Sequence, residues 1–225
     1  MNIPTNLDDF KFDEITISFK RKSNKWSLKK SPKLIVTTGA IGVGKTTFNV
    51  MLAKYLRSKN FTVFLSNEVP LMDKKFLELF YSNIPKYSFA FQLSIVYKFN
   101  YEMLKLYTNR HKYDYIILDR THFDTKVFTA VNINDKEELS VLDNIFNDNI
   151  FKDFDHVFYL KPSQDTMIQR QQKRNRESEE NVKKQYLIDI YNMYESMINE
   201  IYPDHVVFEN ENNVNYEIFF KQYFG

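Results

Sequence analysis

A short β-branched, apolar run, Lys33-Leu34-Ile35-Val36-Thr37-Thr38, leads without a break into Gly39-Ala40-Ile41-Gly42-Val43-Gly44-Lys45-Thr46, and helical spacing begins at its end. No other feature constrains the chain as strongly. The run reads as a strand buried on both faces, and the loop matches G-x-x-x-x-G-K-[ST] at every fixed position, between a strand and a helix as that motif requires. Glycine is scarce elsewhere: the 225 residues hold only 4, against roughly 16 at the usual ~7%. Three of the four are Gly39, Gly42 and Gly44. A chain that keeps its glycines here needs backbone shapes that a side chain would block.

In this motif main-chain N–H groups turn inward around phosphate oxygens, and the following helix points its positive end at them. Gly39, Ala40, Ile41, Gly42, Val43, Gly44, Lys45, Thr46 and Thr47 are therefore the expected cradle of a nucleoside triphosphate. Lys45 reaches the β- and γ-phosphates, and the Thr46 hydroxyl takes magnesium.

Further apolar runs at Phe61–Leu65, Tyr113–Leu118, His156–Leu160 and His205–Phe208 alternate with helical spacing over Lys45–Lys59, Phe89–Asn109 and Lys183–Ile201. Five short strands alternating with helices predict an α/β chain with a parallel sheet covered on both faces. Residues 1–32 carry mixed charge without a period and read as an extension, with the phosphate-loop domain over 33–225.

Composition removes several classes. Basic and acidic residues number 31 and 29, so bulk charge supplies no reason for a nucleic-acid partner. Without cysteine there is no disulfide or thiolate chemistry, which suits a reducing compartment, read as cytoplasmic with a mitochondrial location left open. No run approaches a membrane span, and the first residues lack the apolar core of a signal peptide. A GTPase switch or a transporter-type signature needs glycine, yet none follows Gly44 until Gly225. A dinucleotide fingerprint needs a third glycine where Thr47 stands.

Ligands of open α/β sheets sit beyond the carboxyl ends of the strands. The second run ends at Ser66-Asn67-Glu68-Val69-Pro70, so Glu68 reads either as a solvated loop glutamate or as a carboxylate placed to take the proton of an attacking hydroxyl. The third ends at Asp119-Arg120-Thr121; Asp119 fills the position of a magnesium-holding acid, and Arg120 offers a fixed cationic fork near the transferred phosphate. Arg170, Arg174 and Arg176 lie in a polar stretch in which the spacing of Arg170 and Arg174 is that of one helix face; it reads either as a solvated helical face or, over a bound nucleotide, as an arginine-rich lid that neutralises charge and excludes water. The histidines at 111, 122, 156 and 205 have no metal-ligand spacing. Phe89, Phe91 and Tyr97 are read either as core or as walls of a base pocket.

Taken in order, the phosphate loop, Asn67-Glu68-Val69-Pro70, Tyr87-Ser88-Phe89-Ala90-Phe91-Gln92, Asp119-Arg120-Thr121 and Arg170-x-x-x-Arg174-x-Arg176 resemble the deoxyribonucleoside kinase family over about residues 33–201. The resemblance implies a P-loop kinase fold, a homodimer formed through two long helices, and nucleotide salvage with Mg-ATP as donor. It implies that Glu68 accepts the 5′-hydroxyl proton, Gln92 pairs with the nucleobase, and Asp119 lies near magnesium. Arg120 then orients the 5′ oxygen, while Tyr81 and Glu179 bind the 3′-hydroxyl. The lid arginines hold the donor, and Phe91 and Phe128 wall the base pocket. Asp124 falls near the family's base-selecting acid, although the segment from Thr121 is one residue short, and Asp73 replaces a tryptophan of the pattern. Ile95 and Phe99 stand where purine- and cytidine-selective members carry Ala and Arg, which leans to thymidine and other pyrimidines; Asp124 argues the other way. A nucleoside monophosphate kinase of thymidylate kinase type and a non-catalytic nucleotide-binding module stay open.

Overall fold

The computed structural model describes residues 31–66, 74–147, 153–174, 182–212 and 214–225. Glu68, Arg176, Glu179 and nearly all of the 1–32 extension lie outside the described residues, as does the side chain of Arg174. Residues 32–225 make one compact unit.

The five strands are β1 (Lys33–Thr38), β2 (Val63–Leu65), β3 (Tyr115–Asp119), β4 (His156–Leu160) and β5 (Val206–Phe208). They form one parallel sheet in the order β2-β3-β1-β4-β5. β1 is central because its last four residues and all of β3 are buried; such runs are stable only where neighbours cover both faces. The chain adds β2 and β3 on one side of β1 and β4 and β5 on the other. The strand order therefore reverses at the carboxyl end of β1, where α/β sheets open a crevice, and the phosphate loop emerges there.

Helices connect the strands: α1 (Lys45–Ser58), α2 (Lys74–Ser82), α3 (Ile84–Asn109), α4 (Asp124–Asn132), α5 (Lys136–Asn147), α6 (Gln164–Arg174), α7 (Lys184–Ile201) and α8 (Tyr216–Phe224). Local chemistry sets several of their starts. Asn83 accepts from the Lys86 N–H at 3.2 Å, with Pro85 in the first turn of α3. Asn215 accepts from the N–H groups of Glu217 and Ile218 at the start of α8, the usual side-chain answer to unpaired first-turn donors. By contrast, α1 begins at Gly44 in the left-handed region with no side-chain cap, so its first N–H groups stay available to an anion.

The core is aromatic. Phe48 of α1 is fully enclosed, and its ring meets Phe158, Phe208, Tyr216, Phe219 and Phe220 at centroid distances of 5.2–6.1 Å. This packing clamps α1 between the sheet and α8, and fixes the helix whose N-terminus closes the phosphate loop.

Candidate active site

Each loop glycine is required by geometry. Gly39, Gly42 and Gly44 have φ of 134°, 85° and 96°, a region L-residues avoid. A Cβ on Gly39 would stand 2.7 Å from the Leu160 carbonyl oxygen, and one on Gly42 2.7 Å from that of Met167 in α6. One on Gly44 would press on the Asn210 amide at 2.9 Å. The loop is thus packed against β4, α6 and the segment after β5.

Two cations meet at its base. Lys45, which is buried, donates through Nζ to the carbonyls of Gly39 at 3.1 Å and Ala40 at 2.8 Å. Arg120 donates through Nη2 to the same Gly39 oxygen at 3.1 Å. Its backbone has φ 67°, and its N–H donates to the Thr37 carbonyl at 2.9 Å. Its guanidinium lies 4.7 Å over the Phe128 ring, a cation–π contact that orients the fork.

Val43 is held from outside. Its carbonyl accepts from Asn210 Nδ2 at 2.7 Å and from Arg170 Nη1 at 3.1 Å. Asn210 is fully enclosed and oriented by Tyr216, whose hydroxyl donates to Asn210 Oδ1 at 2.9 Å. Arg170 also reaches Asn212 at 3.4 Å. Arg170, expected over the nucleotide, is therefore engaged with the loop backbone. Asn210 went unrecognised in the sequence, although its place just beyond the carboxyl end of β5 was a usable signal.

For the metal, β1 and β3 run in register with Thr37 opposite Asp119, so the Asp119 carboxylate stands beside the strand that feeds the loop. The Asp119 N–H donates to Ser66 Oγ at 3.1 Å, while Thr46 is exposed in the first turn of α1. Among the described residues no three His, Cys, Asp or Glu side chains cluster as a metal cage. One carboxylate and one hydroxyl beside a phosphate cradle fit magnesium, which keeps waters and shares phosphate oxygens.

The expected acceptor residues divide. Gln92 is 3% exposed, and among the described residues none hydrogen-bonds its amide. Tyr81 lies with its ring 6.4 Å from that of Tyr186 in α7. The Tyr186 hydroxyl accepts from Asn132 at 3.1 Å, and burial pushes its pKa up to about 12, against the pull of Arg120. Phe91 stacks on Phe80 at 4.5 Å, edge-on to Phe76, and Ile95 joins the same small cluster. Phe99 is buried in the main core, 5.2 Å from the His122 ring, rather than standing in an open pocket.

Asp124 departs from the base-selecting expectation. The carboxylate is buried, and four protein donors occupy it: Thr38 and Tyr194 on Oδ1, the Thr121 N–H and Tyr202 on Oδ2. A carboxylate satisfied four times within the chain has no acceptor left for a nucleobase. One turn apart on α4, the buried hydroxyls of Thr125 and Thr129 have no hydrogen-bond partner among the described residues. Nothing in the sequence pattern marked them.

A parallel sheet with a glycine cradle at its reversal point, a buried lysine inside the cradle and an arginine fork at the neighbouring strand end defines a phosphate-loop phosphotransferase. The family profile described as deoxynucleoside kinase matches residues 35–223, and the chain belongs to that family. Deoxyadenosine kinase of Dictyostelium discoideum is 26% identical over 174 residues, covering 74% of this chain and 67% of that protein. Deoxyguanosine kinase of Bacillus subtilis is 27% identical over 172 residues, covering 74% and 79%. In fold, the chain is similar to a deoxyadenosine kinase from M. mycoides, with a TM-score of 0.69 and 23% identity over 84% of this chain and 95% of that one. No described helix is long and apolar enough to cross a membrane.

Proposed function

We propose that the chain transfers the γ-phosphoryl group of Mg-ATP to the 5′-hydroxyl of a deoxynucleoside. The observation that carries the acceptor is Gln92: a largely enclosed amide on α3 whose donors and acceptor no described residue occupies can pair with a ligand edge. Glu68 takes the 5′-hydroxyl proton. Lys45 and Arg120 stabilise charge on the moving phosphoryl group, and positioning does most of the remaining work. Thr46 and Asp119 would hold magnesium, which when bound neutralises charge across the β- and γ-phosphates. Tyr81 and Glu179 bind the 3′-hydroxyl, Phe91 and Phe128 flank the base, and Arg174 and Arg176 close over the donor.

On the base, the apolar Ile95 and the lack of an arginine at position 99, where Phe99 packs into the core, support pyrimidines, and Asp124, engaged inside the protein, no longer opposes them. The relatives named for deoxyadenosine and deoxyguanosine support purines. Competition among the four deoxynucleosides decides between these supports. Phosphorylation of thymidine monophosphate in preference to thymidine would favour a monophosphate kinase instead. Full turnover by Glu68→Gln would remove Glu68 as the base.

The same reading includes a homodimer. Leu93, Tyr97, Tyr101 and Leu104 leave an apolar stripe exposed along α3, and Val141 is exposed on α5, which packs beside it. A second copy is the partner such a self-complementary stripe fits.

A further inference from the structure

We infer that Asp124 is a positioning residue that locks the two halves of the phosphotransfer site, Arg120 and the phosphate loop, to one carboxylate. The inference rests on the kinase reading and goes beyond it, because Asp124 acts through other residues and touches no substrate.

The connections are adjacent to both functional elements. On one side, Asp124 Oδ1 accepts from the hydroxyl of Thr38, the last residue before the phosphate loop. On the other, Oδ2 accepts at 2.8 Å from the N–H of Thr121, the first residue after Arg120. Two tyrosines brace the carboxylate, Tyr194 on Oδ1 and Tyr202 on Oδ2, each at 2.8 Å. Tyr202 also shares a 2.6 Å bond with the Thr121 hydroxyl, which in turn accepts from the Phe123 N–H at 3.1 Å. Donors and acceptors balance: the carboxylate is acceptor-only, and three hydroxyls and one amide supply its four protons.

The network has something to hold. Arg120 keeps a left-handed backbone, φ 67°, which a residue with a Cβ adopts only where its surroundings over-determine it. The Thr37 carbonyl fixes its N–H from one side and Asp124 fixes the next peptide from the other. That backbone turn aims the guanidinium at Gly39, whose own residue directly follows Thr38. The carboxylate therefore sets the angle between the fork and the loop, and both must face one phosphoryl group.

The test is a double-mutant cycle on the full chain, with Asp124→Ala, Arg120→Ala and the pair, alongside Asp124→Asn. Initial rates with Mg-ATP and the best deoxynucleoside are read well below each variant's melting temperature. A site misaligned through Arg120 should lose about 100-fold in kcat in Asp124→Ala, with the acceptor KM within about threefold. In the Arg120→Ala background the same change should cost less than about threefold, because the residue it positions is gone. Asp124→Asn can keep its oxygen on the Thr121 N–H and turn its amide to the Thr38 and Tyr194 hydroxyls, so it should recover about tenfold or more.

An equal kcat loss with and without Arg120, or an Asp124→Ala enzyme that folds and keeps its kcat, overturns the inference. If Asp124→Ala does not fold, Tyr202→Phe, which removes one of the four donors, takes its place in the cycle under the same criteria. A wild-type chain that phosphorylates no deoxynucleoside would strike the acceptor reading instead. Calorimetric titration with Mg-ATP then reads the Thr38 side of the lock without an acceptor, and unchanged ATP affinity in Asp124→Ala and Thr38→Val overturns it there.

Discussion

Lys45 and Arg120, brought from opposite ends of the first half of the domain, donate to a single atom: the carbonyl oxygen of Gly39 accepts from each at 3.1 Å. Two groups that converge on one point act on one charge. Lys45→Ala and Arg120→Ala should each lower kcat by about 1,000-fold, and the pair should lose far less than the product of the two. Steady-state rates of the three variants check this; independent, multiplying losses would show that the two cations serve separate steps.

Gly42 is where the loop touches α6. Gly42→Ala would place a methyl 2.7 Å from the Met167 carbonyl oxygen, at φ 85°. The backbone alone costs about 1–2 kcal/mol, and α6, which carries Arg170, must move away. The expected result is a lower urea midpoint together with a KM for ATP raised more than the KM for the acceptor. A variant with wild-type ATP affinity would mean that the close approach has no role in donor binding.

Asn210 supports the loop from outside. Asn210→Ala removes the 2.7 Å bond to Val43 and leaves the Tyr216 hydroxyl without its acceptor, a cost of about 1–3 kcal/mol for a buried site. Since Arg170 still holds the same carbonyl, the loop should loosen rather than collapse. We expect the KM for ATP to rise about tenfold with the acceptor KM unchanged; kinetic titration of each substrate separates the two effects.

His156 supplies a pH dependence. Burial, and then the positive charge of Lys33, hold its pKa below the ordinary imidazole value, with Asp155 opposing. The unfolded chain then binds the proton more readily, so stability rises with pH. The contribution is complete above the unfolded pKa of about 6.5 and is lost as pH falls through the lower folded value. Urea unfolding should show less stability at about pH 5.5 than at about pH 7.5. His156→Phe, which keeps the ring packing on Phe158 and Phe224, should flatten that difference; an unchanged slope would assign the pH dependence to other groups.

The exposed stripe of α3 predicts self-association. Tyr97 and Tyr101 are 69% and 51% exposed and stack on each other at 6.4 Å. Replacing both with glutamate adds like charges to any two-fold contact across this face. Light scattering should show a dimer for the wild type and a monomer for the double variant, each with the same thermal midpoint in the monomeric state. A wild-type monomer would remove the proposed interface.

The sequence determined the parts of this protein that local rules govern. The β1 run, the glycine loop and the start of α1 coincide with the reading because a buried parallel strand is apolar throughout and a phosphate cradle admits no Cβ. Asp119 and Arg120 were legible as the polar end of an apolar strand, and the boundaries of α3 and α7 shifted by only a few residues from their helical spacing. Tertiary structure alone decided what those residues face. Asp124 looks in sequence like an acid free to select a base, yet four donors, from β1, the turn after β3, and the chain of α7 and its end, enclose it. Phe99 carries the same letter whether it lines a pocket or fills a core, and packing places it in the core. Asn210 and Tyr216 support Val43 from more than 160 positions away. Spacing reports only which neighbours share a face; hydrogen-bond partners across the sheet depend on how strands and helices close together. The left-handed turn of Arg120, set from outside by Thr37 and Asp124, is the point at which that closure becomes function.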